Sequence, residues 1–544
     1  MKRIITIAAA MVVAVMAITG CKQKPVPQVA VNPLTYTDIP DPEVIRVGDK
    51  YYMVSTTMYF CPGAPVMESE DLVHWRIVNY IYDCLADDDH YNLANGQNAY
   101  GKGQWATTLR YVDGTYYALF IANDQRKTFI YRTDDIVNGE WKLNVIDRAF
   151  HDAGLLFEDG HVYIVYGNGV LSIIELEPDL SGIKEGGVDQ VLIESPREGY
   201  TLRAEGAKFY HIGDYYYVIE IDWPRDPGCR SETCWRSKDL LGPYERKVVL
   251  QGKFDGRNDG VAQGPIVETQ YGDWYAIMFQ DHGAVGRIPT IQPVTWVDGW
   301  PIMGDNTVPM KEVTVNLTAK GEDYVWSSDE FDSDKLALVW QWNHKPVDGA
   351  WSLTERQGWL RLNSASVVED ITTARNTLTQ RTVGPASYSE VLLDASGLKP
   401  GDRAGLCAFQ SNNFSLGVEV AEDGSKILAI REMKRGARRT MVDGRPRMER
   451  FSTNEIVYSE PLENDKVCLK IDWLFTPAEG SLGKPDTATA SWSYDGQSWK
   501  TTDYTLQMSY SLDFFTGYRP ALYCYSTIET GGHADFDYFH QEVY

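Results

Sequence analysis

Several features that mark membrane, metal or nucleic-acid proteins are scarce or missing in this sequence. Beyond the N-terminus, no apolar run approaches the about 20 residues that cross a bilayer. The eight cysteines contain no pair of CxxC motifs, which argues against a structural zinc site. No GxSxG nucleophile elbow occurs, and helical periodicity is rare. Positive charge is in deficit: 51 Lys and Arg face 76 Asp and Glu, a formal charge of −25. A surface that acidic repels phosphate backbones, which excludes a nucleic-acid partner and suits an uncharged substrate. What is plentiful is aromatic: 16 Trp and 33 Tyr in 544 residues. Flat apolar faces of this kind stack on sugar rings. The length exceeds one ordinary core and predicts two domains.

The N-terminus reads as an address. Lys2-Arg3 precedes an apolar run, Ile4–Ile18, then Thr19-Gly20-Cys21. The run is too short to span a membrane but fits a signal-peptide core. The ending resembles a bacterial lipobox, in which the Cys is lipidated and becomes the new N-terminus. This predicts a signal peptide over 1–20, a tether over 21–29 and an exported lipoprotein held by Cys21. The site would be the periplasm or the cell surface, and the lipid the sole membrane contact. An exported protein meets an oxidising compartment, and Cys229 and Cys234 are the best-spaced disulfide candidates. Cys407, Cys468 and Cys524 sit in strand-like apolar runs and read as core residues.

One pattern recurs five times: an apolar strand, a Gly-containing turn, then an aromatic-rich strand. The turn glycines are Gly48, Gly114, Gly160, Gly213 and Gly272. Each copy is a hairpin signature, and the spacing fits one four-stranded blade plus variable loops. The pattern predicts a five-bladed β-propeller over residues 30–310. A mixed polar stretch, 311–325, reads as a linker. From 326 to 544 come short alternating strands without the blade repeat, which predict a β-sandwich of concanavalin-like type. Within it, Arg431–Arg450 is a basic stretch and reads as a solvated hairpin.

Equivalent positions in blades lie at equivalent places around the axis. Asp41, Asp152 and Glu205 stand seven or eight residues before their turn glycines, and Trp105 and Gln263 stand nine before theirs. If these positions open the innermost strands, three carboxylates converge on one end of the channel. At least one should then hold its proton unusually tightly. Glycosidic cleavage needs such a set: a protonated acid for the leaving oxygen and an ionised carboxylate at the anomeric centre or its water.

The segment Tyr36–Tyr52, with Pro40-Asp41-Pro42, resembles the opening blade of glycoside hydrolase family 43. His151–Phe157, Glu205-Gly206-Ala207 and Gln280–Arg287 are similar to later motifs of that family. Asp329-Glu330-Phe331 and Trp340–His344 resemble the sandwich module that follows the propeller in many members. The resemblance implies inverting chemistry on arabinose- or xylose-containing plant glycans. It implies Asp41 as general base, Glu205 as general acid and Asp152 as the modulator of the acid. Arg287, Trp105, Phe60 and Gln263 would line the sugar site. No cofactor is needed for such chemistry. The resemblance implies a structural cation, often calcium, near His282, and a calcium site in the sandwich at Glu330 and Asp535.

The reading that leads is an exo-acting enzyme removing terminal α-L-arabinofuranosyl groups from hemicellulose oligosaccharides, with β-xylosidase as the alternative. Inversion predicts Asp41 and Glu205 carboxyl groups about 6.5–9.5 Å apart. A surface lipoprotein that merely binds glycan is the rival of another class. Three carboxylates in matched register speak against it, since binding alone needs no tuned acid.

Overall fold

The computed structural model describes residues 24–254, 259–442, 445–475 and 486–544. The expected signal segment and Cys21 lie outside them. Among the described residues the helical structure is two short 3-10 turns, Gly283–Val285 and Ile371–Thr373, and no helix is long and apolar enough to cross a membrane.

The fivefold repeat is a five-bladed propeller. Five antiparallel four-stranded sheets follow one another along the chain. Their first strands are Glu43–Val47, Thr108–Val112, Gly154–Glu158, Tyr200–Ile212 and Ile266–Glu268. The five turn glycines all adopt left-handed backbone, with φ between +60° and +89°, where a side chain would be strained. That is why the glycine repeat marks the first hairpin of every blade. The aromatic second strands then pack between blades: Tyr51 and Met53 are wholly buried, each such side chain contributing about 1.5–3 kcal/mol.

No blade borrows a strand from the far end of the chain, so the ring needs another closure. Arg46 of blade one donates its Nε–H to the Glu268 carbonyl of blade five at 2.6 Å. The Tyr51 hydroxyl donates to Gln270 Oε1 at 2.6 Å. Outside the blades, Gln28–Val31 pairs antiparallel with Glu312–Val315, from Gln28 opposite Val315 to Val31 opposite Glu312. Part of the expected linker is therefore a strand, and its continuation follows blade one: Tyr324 N–H donates to the Trp75 carbonyl at 2.9 Å.

The C-terminal unit is a sandwich of an eight-stranded and a seven-stranded sheet. The eight-stranded sheet ends on a strand the propeller supplies: Phe60 and Cys61 pair with Asn343 and Trp342. One hydrophobic core accordingly runs from blades one and two into the sandwich. The basic stretch lies in two long paired strands, Lys426–Val442 and Arg445–Pro461, at the other edge of the sheet.

Cys229 and Cys234 do not form the expected disulfide; both are free thiols. Cys234 lies within the extended strand Ser231–Ser237, which draws it away from Cys229 and packs it in the core. Cys407, Cys468 and Cys524 are buried strand residues, as their apolar surroundings predict.

Candidate active site

The residues singled out by register stand where the first strands of the blades begin. Asp41 precedes blade one, Asp152 blade three and Gln263 blade five, all in left-handed backbone with φ of 51°, 47° and 58°. This conformation, which non-glycine residues adopt at a cost, turns each side chain off the strand it introduces. Glu205 is presented differently. It sits inside Tyr200–Ile212, where the pairing with the next strand slips on both sides of the Glu205–Ile221 pair. Gly206 follows at φ 68°, and a Cβ there would meet Gln263 Cγ at 2.9 Å. The bulge and the bare glycine let blades four and five close on each other beside Glu205.

Each carboxylate has a distinct setting. Asp41 is 4% exposed; it accepts from the Thr56 hydroxyl at 2.7 Å and pairs with Arg287 Nη1 at 2.5 Å. Arg287 lies against the Phe279 ring and approaches Asp281 at 3.2 Å, and Asp281 is also paired with Arg230. Alternating charges thus run from Arg230 to Asp41. Glu205 Oε2 accepts from Asn168 Nδ2 at 2.5 Å and lies 3.5 Å from His151 Nε2, which is 3.6 Å from Asp152 Oδ2.

Burial pushes the Asp152 carboxyl up to about 6; His151 opposes the rise, and the negative charges of Glu205 and Asp41 reinforce it. Burial alone would lower His151. Its hydrogen bond to Glu205 and the charges of Asp152 and Glu205 outweigh that and push it up to about 9. The His151 imidazole is therefore held in its charged form between the carboxylates at neutral pH. Beneath them Glu43 is fully buried, paired with Lys208 Nζ at 2.5 Å and with Arg110. Arg110 also donates to the Leu155 and Phe209 carbonyls. This network ties the first strands of four blades together under the carboxylates.

The sandwich enters the site. Its loop 508–518 brings Phe515 onto Trp105, ring centroids 5.5 Å apart and planes within 18°. The Arg287 guanidinium also lies against Phe515, 4.8 Å from the ring centre, with Tyr510 at its edge, centroids 6.2 Å apart. Asp38, buried just ahead of Asp41, accepts from the Arg287 amide at 2.8 Å and the Gly517 amide at 2.9 Å. Gly517 has no room for a side chain, because a Cβ would lie 2.1 Å from the Val285 carbonyl. One buried carboxyl thus fixes both the cation beside Asp41 and the loop above it.

Asp41, Asp152, Glu205, Arg287, Trp105 and Gln263 are brought to this end of the propeller; Phe60 is not. Phe60 is wholly buried under the Arg519 guanidinium, 3.7 Å from its ring centre, because its strand belongs to the sandwich sheet. It has no face to offer a sugar.

The expected ion sites also differ. Both ring nitrogens of His282 face hydrogen-bond partners, Gln280 Oε1 at 3.0 Å and the Tyr36 hydroxyl at 3.3 Å. Asp535 is gripped by Arg361 and Arg356, a setting that repels a cation, and Glu330 is paired with His540. Among the described residues, the group that could hold a metal is His151, Asp152 and Glu205.

Sequence reasoning passed over His151, although it adjoins Asp152, and over Asp281, inside a motif already singled out. Phe515 carried no signal, since no repeat or motif surrounds it.

A propeller with three carboxylates at one end of its channel, one pushed up by burial and its neighbours, is equipped for acid–base cleavage of a glycosidic bond. The model of glycosyl hydrolases family 43 matches residues 30–301, and that of the beta-xylosidase C-terminal concanavalin A-like domain matches 328–542. The chain belongs to glycoside hydrolase family 43 and is a glycosidase. It is 28% identical to a beta-xylosidase of Formosa agariphila, over 94% of this chain and 89% of that one. It is 31% identical to the non-reducing end alpha-L-arabinofuranosidase BoGH43B of Bacteroides ovatus, over 62% and 65% of the two chains. The solved structure of a bifunctional GH43-CE protein of Bacteroides eggerthii is similar at TM-score 0.85 and 40% identity. That likeness covers 96% of this chain, which spans only 64% of the bifunctional protein.

Proposed function

We propose that the protein is an inverting exo-glycosidase that removes terminal β-xylosyl units from plant xylo-oligosaccharides. The observation that carries an exo reading is depth: Asp41 and Asp152 are 4% and 8% exposed, beneath a loop from a second domain. A chain end reaches such a centre more readily than a chain interior. Water enters beside Asp41, which takes its proton as the oxygen attacks the anomeric carbon. Glu205 gives its proton to the departing glycosidic oxygen, the old C–O bond breaks, and the configuration inverts. Asp152 positions His151, which in turn contacts Glu205. Arg287 balances the charge of Asp41 and, with Trp105, faces the sugar.

The sequence reading put arabinofuranosyl first. The names of relatives, beta-xylosidase for the Formosa protein and for the matched C-terminal domain, favour xylosyl. The arabinofuranosyl reading is kept as second because the Bacteroides ovatus relative bears that name. Aryl β-xyloside and aryl α-L-arabinofuranoside decide between them: kcat/KM should favour the xyloside, and the reverse ratio restores the first order. We further propose export and anchoring through Cys21; Cys21→Ala should move the protein from the membrane to the soluble fraction.

A further inference from the structure

We propose that His151, Asp152 and Glu205 form a binding site for a borderline divalent cation of the zinc type, and that occupancy switches the enzyme off. Binding itself needs only the geometry; the loss of activity rests on the proposed role of Glu205.

The argument is one of distances. Zinc takes nitrogen and carboxylate oxygen at about 2.0–2.2 Å in tetrahedral geometry. The corners of such a tetrahedron lie about 3.3–3.6 Å apart. His151 Nε2 is 3.5 Å from Glu205 Oε2 and 3.6 Å from Asp152 Oδ2. Two of the three edges therefore already have the required length. Each of the three residues offers one ligand atom within 4.8 Å of the other two, so the third edge is also close to that length. Three protein ligands leave the fourth corner for water, the arrangement of an accessible zinc rather than an enclosed structural one.

The ligands are also held. The His151 carbonyl accepts the Gly167 amide at 3.0 Å, Asp152 is fixed by its left-handed turn, and Asn168 steadies Glu205 Oε2. Access is open, with His151 31% and Glu205 22% exposed at the side chain. One nitrogen and two oxygens suit zinc and its neighbours in the transition series. Calcium and magnesium want six or more oxygen ligands, and the imidazole discriminates against them. A metal seated here displaces the His151 proton to solvent and takes the oxygen that protonates the leaving group, so a loaded molecule cannot cleave a glycoside whose leaving group needs that proton.

Calorimetric titration of the full metal-free chain with zinc chloride tests the site. One ion should bind, at least tenfold more weakly in His151→Ala and in Glu205→Gln. His211→Ala, which removes a histidine paired with Glu158 elsewhere on the propeller, should bind as the parent does. Calcium and magnesium should not compete. His151→Gln, with its melting temperature checked, guards against a folding defect in the alanine variant. Absence of binding, binding unaffected by His151 substitution, or equal competition by calcium overturns the site. Stoichiometric zinc should also abolish hydrolysis of xylobiose, whose leaving group must be protonated, and a chelator should restore it; full activity with zinc bound overturns the inhibitory role. A chain that hydrolyses neither aryl glycoside yet binds zinc through His151 would sink the proposed function and leave the metal site standing.

Discussion

Phe515 of the sandwich lies stacked on Trp105 of the propeller, centroids 5.5 Å apart. Together with the Arg287 guanidinium on the same ring, this makes the second domain part of the wall around the carboxylates. An aromatic pair is worth about 0.5–1.5 kcal/mol beyond its buried area. Phe515→Ala should therefore lower kcat/KM about two- to tenfold, mainly through KM, with Phe515→Leu between parent and alanine. Steady-state kinetics on a terminal-sugar substrate give the answer, and an unchanged KM would place the sugar elsewhere.

Because Phe60 and Cys61 complete a sandwich sheet and one core spans both units, the domains should not unfold independently. Calorimetry on the full chain should give a single transition. Removal of residues 326–544 should lower the melting temperature of what remains. Two well-separated transitions would contradict the shared core.

His151 should titrate near 9, well above the usual histidine value of about 6.5. Its folded value is raised, so its stabilising contribution is fully present below about pH 6.5 and is lost as pH rises through about 9. His151→Gln should thus lower the melting temperature more at about pH 6.5 than at about pH 9.5. In NMR titration of the ring protons, Glu205→Gln should bring the midpoint of His151 down, since it removes the charge and leaves only a neutral acceptor in the hydrogen bond. A midpoint near 6.5 in the parent would show that the two carboxylates do not hold the charged imidazole.

Glu205→Ala should cut turnover about 10²–10⁴-fold on a substrate with a poor leaving group and much less on an activated aryl glycoside, which departs without protonation. Equal losses on both substrates would deny Glu205 the role of acid.

How much of this could be read beforehand follows from where each feature keeps its information. The blades were legible because each hairpin needs a left-handed glycine, so Gly48, Gly114, Gly160, Gly213 and Gly272 repeat in the sequence as they do in space. The carboxylates were legible for the same reason: their distance to those glycines is fixed by the first strand of the blade, which Asp41 and Asp152 precede and which contains Glu205. Phe60 misled because its neighbours belong to blade one while its backbone pairs with the sandwich, a contact with no local trace. Phe515 and the Asp38–Gly517 hydrogen bond were beyond reach because they join residues of separate domains. The Cys229–Cys234 spacing misled because proximity along the chain is undone by an extended strand.

The central claim is inversion at a terminal sugar, and the anomeric configuration of the first product tests it most directly. Proton NMR of an aryl β-xyloside during the first minutes of hydrolysis should show α-xylose appearing before mutarotation mixes the anomers. Initial release of β-xylose would contradict the account, because it requires the configuration to be retained.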